Sequence, residues 1–169
     1  MEKQNKILNI NKKSSIVGII HILLLQSYAI YFFAVILGVI FDNVIAINIF
    51  PNHVLLHQYL GIIMILIGSI LIYWAQSTTG SSKVNNSKDR DLNFFLRGPY
   101  KYTRNPTNFG LAIMSLGLGF LINSFFSIIF IIIAYLISRI IFIKKQDSIL
   151  EERYGEVFRD YKQKVKDWI

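Results

Sequence analysis

The chain has 169 residues, a length suited to a single domain, and carries a formal charge of +8 from 18 Lys and Arg against 10 Asp and Glu. Hydrophobic residues make up 53% and mean hydropathy is +0.46, both high for a soluble domain. There is no cysteine, which excludes disulfides and thiolate chemistry. The three histidines, His21, His53 and His57, have no second His or carboxylate at ligand spacing, so no metal site is expected. In a chain this apolar, the basic excess points to a membrane surface rather than to nucleic acid.

The first apolar run, "SIVGIIHILLLQSYAIYFFAVILGVIF", covers residues 15–41 without a charge. A spanning helix needs roughly 20 such residues, so this one is long enough to tilt or to keep one end wet. It is too long for the apolar part of a signal peptide, and no small-residue cleavage site follows it. A short connection with Asp42, Asn43 and Pro51 leads to the second run, "VLLHQYLGIIMILIGSILIYWA", residues 54–75. Its closing Tyr73 and Trp74 fit an interfacial aromatic belt. Residues 76–106 turn polar. The third run, "TNFGLAIMSLGLGFLI" at 107–122, is short and glycine-rich, and Asn123-Ser124 turns it directly into the fourth, "FFSIIFIIIAYLISRIIFI" at 125–143. So short a turn makes the last two an antiparallel hairpin. A charged tail fills 144–169. There is no internal repeat, and 1–169 reads as one membrane-embedded domain. The expected fold is an all-α integral membrane protein of about four transmembrane helices, with a C-terminal helical hairpin, a cytosolic loop and an amphipathic C-terminal helix.

Every Lys and Arg falls in one of three segments: before the first run, between the second and third, or from Arg139 onward. The connections 42–53 and 123–124 have none. Four spans put all three basic segments on one side, and the positive-inside rule makes that side the cytoplasm, with both termini there. An Asn- and Ile-rich composition points to the cytoplasmic membrane of a bacterium. Arg139 lies inside the fourth run, about one turn from its end, where it either snorkels to the surface or lines a polar cavity. In the tail, Leu150, Tyr154, Val157, Phe158, Tyr161, Val165 and Trp168 recur at helical spacing opposite Glu151, Glu152, Arg159, Lys162 and Lys166. This predicts an amphipathic helix, bent at Gly155, that lies on the membrane or folds back onto the loop.

The segment "RGPYKYTRNPTNFG", residues 97–110, mixes three cations with aromatics, two prolines and two glycines just before an apolar helix. Two readings stand. It is a re-entry loop whose basic residues touch lipid phosphates and whose Tyr100 and Tyr102 anchor the interface. Or it closes, with the tail, a polar pocket open sideways to lipid.

"GPYKYTRNPTNFG" resembles the pattern G-P-Y-x-Y-x-R-[HN]-P-x-Y-x-G of the isoprenylcysteine carboxyl methyltransferase and phospholipid methyltransferase superfamily. "SILEERYGEVFRDYKQKV" is similar to the tail of that superfamily, and "YWAQSTTG" to its aromatic-Ala segment, so the resemblance spans 73–166. It implies S-adenosylmethionine as cofactor and methyl transfer to a lipid or small hydrophobic acceptor; the composition already turns the reading from nucleic acid, and nothing in the chain names a protein partner. Carried over by position, Tyr100, Asn105, Pro106, Thr107 and Asn108 line the cofactor site, and Leu92 to Phe95 lie beside it. Arg104 either holds the loop or reaches the cofactor carboxylate. Position 105 is Asn where many members have His, and 108 is Asn where Tyr is usual. Gln146 and Asp147 stand where a Glu pair is usual, so Gln146 keeps hydrogen bonding at a cofactor position without a charge. The family arginine falls at Phe142; Arg139, seven residues before Gln146 on the same face of a regular helix, is the available substitute. The candidates for a catalytic role are Arg139 and Asp147, and no general base is singled out. Two other classes remain open. One is an NADPH-dependent membrane reductase of the sterol-reductase type, with Arg97, Lys101 and Arg104 for the 2′-phosphate. The other is a non-catalytic lipid-binding membrane protein.

Overall fold

The computed structural model describes residues 2–45, 54–80 and 92–167. Lys83, Lys88, Arg90, Pro51, His53 and Trp168 lie outside them, with the readings placed on those positions.

The apolar runs are helices, as their length and lack of internal proline allow, with Arg139 the one charge inside them. α1 runs Glu2–Ile45, α2 Val54–Gly80, α3 Leu92–Phe95, α4 Pro106–Leu121, α5 Phe125–Ser138, α6 Lys144–Tyr154 and α7 Glu156–Lys164. Among the described residues, three stretches are long and apolar enough to cross a membrane: Ile22–Ile45, Leu55–Thr78 and the run that starts at Phe125. The chain is an all-α integral membrane protein. In the third stretch, Lys144 and Lys145 mark the end of the apolar part, so α6 lies beyond the span. α2 outlasts its apolar run, and there the Ser77 and Thr78 hydroxyls are satisfied by donating back to the Trp74 carbonyl at 2.9 and 2.8 Å.

α4 is the short helix. Its 16 residues reach about 24 Å, less than the roughly 30 Å of a hydrocarbon core. At least one of its ends therefore lies below the membrane surface. α4 also touches α1, α2 and α5, and its residues are small for that reason. Gly110, Ala112, Ser115, Gly117 and Gly119 are all buried. On the α2 side, a Cβ on Gly61 would lie 2.6 Å from the Gly117 carbonyl oxygen, and one on Gly68 would lie 2.6 Å from that of Gly110. The two glycine pairs oppose each other in antiparallel order, one heptad apart. Helices in lipid associate by such close backbone approach.

α1 packs on the other flank, mainly against α5. Its buried stripe is Leu23, Ser27, Tyr31, Ala34 and Gly38. At the α4–α5 turn, Asn123 takes a positive φ of 53°, and Ser124 caps α5 by accepting from the Ser127 N–H at 3.2 Å. Asp42 of α1 joins this cap across the helix pair. Its carboxylate accepts the Phe126 N–H at 3.2 Å and also the Ser124 hydroxyl. A charge near the end of an apolar run is thus committed to the N-terminus of a neighbouring helix, where the helix dipole favours it.

Between α5 and α6, Arg139–Ile143 form a π-helical turn. The spacing that sets Arg139 and Gln146 on one face holds only for a regular helix. The widened turn shifts that register, and the buried position of α6 is Asp147, while Gln146 is half-buried. Gly155 separates α6 from α7 with φ 58° and ψ −127°, a backbone state that suits glycine alone. The tail then folds back onto the loop. Phe158, Tyr161 and Val165 are buried against Leu92, Phe95, Leu96, Leu150 and Tyr154. The Phe95 ring stacks on Tyr161 at 5.2 Å and meets Phe158 edge-on at 5.5 Å.

Candidate functional site

The loop enters the bundle through a tight turn, Gly98–Lys101. Gly98 has φ 50°, and a Cβ there would collide with the Thr78 hydroxyl of α2. Both facts require glycine. Pro99 beside it is buried. The Tyr161 hydroxyl of α7 donates to the Tyr100 carbonyl at 2.8 Å. Burial pushes the Tyr161 hydroxyl well above its ordinary pKa, so it remains a neutral donor. Asn105 is the N-cap of α4 and Pro106 fills the first helical position, where a missing N–H is harmless. The Asn105 side chain makes no cap bond. It is buried, and its Nδ2 has no hydrogen-bond partner among the described residues.

An ion-pair chain closes this end of the bundle. Arg104 Nη1 lies 2.5 Å from Asp147 Oδ2, both side chains nearly enclosed. Arg104 Nη2 is 3.9 Å from Asp167 Oδ1. Arg139 donates to Asp167 through Nε at 3.2 Å and Nη2 at 3.4 Å. The π-helical turn aims Arg139 at this carboxylate. Burial pushes the Asp147 carboxyl above its ordinary pKa, against the pull of Arg104 and Lys162. The tail end is also tied by its backbone: the Arg104 N–H donates to the Lys166 carbonyl and the Thr103 hydroxyl to the Asp167 carbonyl, both at 3.1 Å.

One turn deeper, three helices contribute to a buried polar cluster. Ser138 of α5 donates to Asn108 Oδ1 at 3.1 Å. The Ser27 hydroxyl of α1 lies 3.3 Å from that of Ser138 and donates to the Leu23 carbonyl at 3.1 Å. Tyr31, only 1% exposed, points its hydroxyl at Ser138 and Asn108 without a hydrogen bond of good geometry. The Asn108 Nδ2 likewise has no partner.

Among the described residues, four buried polar atoms are therefore unsatisfied at the N-terminal end of α4: Arg104 Nε, Asn105 Nδ2, Asn108 Nδ2 and the Tyr31 hydroxyl. Such groups are rare in folded proteins and each is costly to bury. Three are donors with no acceptor function, and the hydroxyl is able to donate. This end of the bundle is short of acceptors.

Of the residues singled out from the sequence, Tyr100, Arg104, Asn105, Pro106, Thr107 and Asn108 are adjacent here by chain. Asp147 joins them through Arg104, and Gln146 sits beside Asp147. Leu92 and Phe95 pack in the apolar cluster under the tail. Arg139 reaches the same network through Asp167. Arg97 and Lys101 are exposed while Arg104 turns inward onto Asp147. An open cleft of about 680 Å³ lies between α6 and α7, with Asp147 and Glu151 on one wall and Arg159 and Lys162 on the other. It shares Asp147 with the site but not the unsatisfied donors. Ser27, Tyr31, Ser138 and Asp167 were not singled out. A small or polar residue recurring along one face of an apolar helix, as Ser27, Tyr31, Ala34 and Gly38 do, is the signal that reveals the first two.

A helical bundle in the membrane, with a proline-opened helix N-terminus and polar residues gathered where loop and tail meet, defines a class of membrane-embedded protein with a site at one end. A sequence profile of the phospholipid methyltransferase family matches residues 56–157, more than half of the chain. The chain belongs to that family. The match takes in α2 to α6 and leaves α1 outside it. No curated protein and no solved structure matches the chain.

Proposed function

We propose that this protein transfers a methyl group from S-adenosylmethionine to a lipid or small hydrophobic acceptor at the cytoplasmic face of the membrane. The observation that carries this reading is the set of unsatisfied buried donors at the start of α4, in a chain of a methyltransferase family. The residues suit the cofactor. Its carboxylate, ribose hydroxyls and adenine nitrogens are hydrogen-bond acceptors, which is what Arg104, Asn105 and Asn108 lack.

When bound, S-adenosylmethionine supplies an electrophilic methyl group on a sulfonium. Arg104, Asn105, Thr107 and Asn108 would hold it, with Tyr100 and Gln146 at the rim and the Leu92–Phe95 turn as an apolar support. Asp147 keeps the Arg104 guanidinium in place. An aromatic face such as that of Tyr100 contributes about 0.5–2 kcal/mol toward a cation. The part-buried Tyr161–Tyr100 contact and the tail over the loop lower the exposure of this end to water, which strengthens each of these interactions. The rest of the rate enhancement comes from holding donor and acceptor in line. A lipid acceptor reaches this end of the bundle from the bilayer, and the soluble cofactor reaches it from the cytosol.

Calorimetric titration of the purified protein with S-adenosylhomocysteine tests this, with NADPH as the comparison. Saturable binding is expected, weakened at least tenfold by Asn105→Ala and by Asn108→Ala. Binding of NADPH alone, or of neither ligand at millimolar concentration, would overturn the reading.

A further inference from the structure

The acceptors missing at the start of α4 have one partial substitute, and it comes from the chain itself. Asp167 brings a carboxylate to two arginines of different elements. It meets Arg139 through two bonds, at 3.2 and 3.4 Å, and stands 3.9 Å from Arg104. The arrangement at Arg139 is the two-toothed one by which arginine recognises carboxylates and phosphates. At Arg104 the fit is loose. Although Asp147 and Asp167 both lie near it, the buried Arg104 Nε has no partner. The segment that carries Asp167 lies outside any helix: Val165 anchors its start in the apolar cluster, and beyond it, among the described residues, only the backbone bonds to Thr103 and Arg104 and the arginine contacts hold it. α7 ends at Lys164, and Val165 is already extended, with φ −122° and ψ 125°. The segment then lies along Thr103 and Arg104 by two hydrogen bonds, directly before the Asn105 cap.

We propose that Arg104 and Arg139 form an anion-binding site for a carboxylate or phosphate ligand, and that Asp167 occupies it as a tethered competitor. A ligand anion enters by displacing residues 166–167, with Val165 as the fixed point. Its oxygens take over both guanidinium groups and bring an acceptor within reach of the donors beside them. Two sources carry this chemistry: the amino-acid end of the proposed cofactor and the phosphate of a lipid headgroup. The cofactor source rests on the methyltransferase reading; the lipid source does not. Arg139 retains about a third of its side-chain exposure, so loss of Asp167 leaves it able to reach water rather than stranded.

The test uses the full chain in detergent, as wild type, Asp167→Asn and Asp160→Asn. The last removes the same charge from an exposed position of α7. Each is titrated with S-adenosylhomocysteine, with methylthioadenosine (which lacks the amino-acid carboxylate) and with glycerol 3-phosphate. Amide exchange at Arg104 and Val165 is followed in parallel. In Asp167→Asn, exchange at Arg104 rises at least tenfold, and at least one anionic probe binds five times more tightly than to wild type or Asp160→Asn. A gain for S-adenosylhomocysteine but not methylthioadenosine assigns the site to the cofactor carboxylate. A gain for glycerol 3-phosphate alone, with no binding of either nucleoside, supports the anion site and overturns the methyl-donor reading. Affinities within twofold of wild type for every probe, weaker binding, or no binding of any probe overturns the proposal. So does an equal gain in Asp160→Asn, which would make the effect one of net charge.

Discussion

The two seams that hold this bundle together are built on opposite principles. Between α2 and α4 the seam is backbone on backbone: Gly61 meets Gly117 and Gly68 meets Gly110. Between α1 and the α4–α5 hairpin the seam is polar at both ends. At one end Asp42, Ser124 and Ser127 complete a cap on α5. At the other, Ser27, Tyr31, Asn108 and Ser138 share too few acceptors. The glycine seam has no room for adjustment and no chemistry. At the Asp42 end the donors of the polar seam are satisfied; where the loop and tail converge they are not. The Asp42 end leaves one buried acceptor without a partner among the described residues, Asn123 Oδ1 in the turn, whereas every unsatisfied donor gathers at the other end, which marks that end as the place where an acceptor-bearing molecule binds.

Gly68→Val attacks the glycine seam and has the largest expected effect. A side chain there meets the Gly110 carbonyl oxygen and the Met114 backbone nitrogen at 2.6 and 2.8 Å, and neither backbone group moves cheaply. Even alanine, which gains up to about 1 kcal/mol in helix propensity, must force two backbones apart. Overpacking of this kind costs about 1–3 kcal/mol or more, and a β-branched residue places it at the top of that range. Unfolding in a detergent gradient, followed by circular dichroism, should show a midpoint shift larger than that of Asp42→Ala or Tyr31→Phe. A near-wild-type midpoint would mean that α2 and α4 tolerate separation, and the seam would not be the rigid half of the molecule.

Asp42→Ala attacks the completed end of the polar seam. It leaves the Phe126 N–H and the Ser124 hydroxyl without their carboxylate. Hydrogen bonds to a charged group are each worth about 1.5–3 kcal/mol, and some of this returns as water enters the space left by the half-buried carboxylate. A loss of about 2 kcal/mol is expected in the same unfolding experiment. S-adenosylhomocysteine affinity should stay within threefold, because the cap is at the far end of α1 from the site. Equal losses of stability and affinity would instead show that the two ends are coupled through α1.

How much of this was open to sequence reasoning differs between the seams as well. The helices, the α4–α5 hairpin, the bend at Gly155 and the burial of Phe158 and Tyr161 follow from hydrophobic period and turn chemistry, which are local. Of the two placements open to the tail, the folded-back one is adopted, because Phe95 offers three aromatic partners a surface. The family pattern drew attention to Asn105 and Asn108 but not to what faces them. Tyr31 and Ser27 sit in a run that reads as uniformly apolar, and only the helix rotation separates them from the lipid-facing Phe32 and Phe33. The π-helical turn at Arg139 has no sequence signal at all: "SRIIFIKK" is an ordinary helical string. It was decided by tertiary contacts, with Arg139 drawn to Asp167 and Asp147 drawn to Arg104.

Tyr31→Phe gives the smallest effect on stability and the sharpest contrast. Deleting a buried hydroxyl from a satisfied network usually destabilises by about 1 kcal/mol, because its partners lose a bond. The Tyr31 hydroxyl has no completed bond to lose, and phenylalanine keeps the ring that fills the space between α1 and the hairpin. Stability should therefore stay within about 0.5 kcal/mol of wild type or rise slightly, since an unsatisfied polar group has left the interior. Methyl transfer should nonetheless fall if that hydroxyl completes its bonding only on a bound molecule. A fall in stability of about 1 kcal/mol or more would show that Ser138 or Asn108 already satisfies the hydroxyl. The site end of the seam would then be as closed as the Asp42 end, and the unsatisfied donors would reduce to those of Arg104 and the two asparagines.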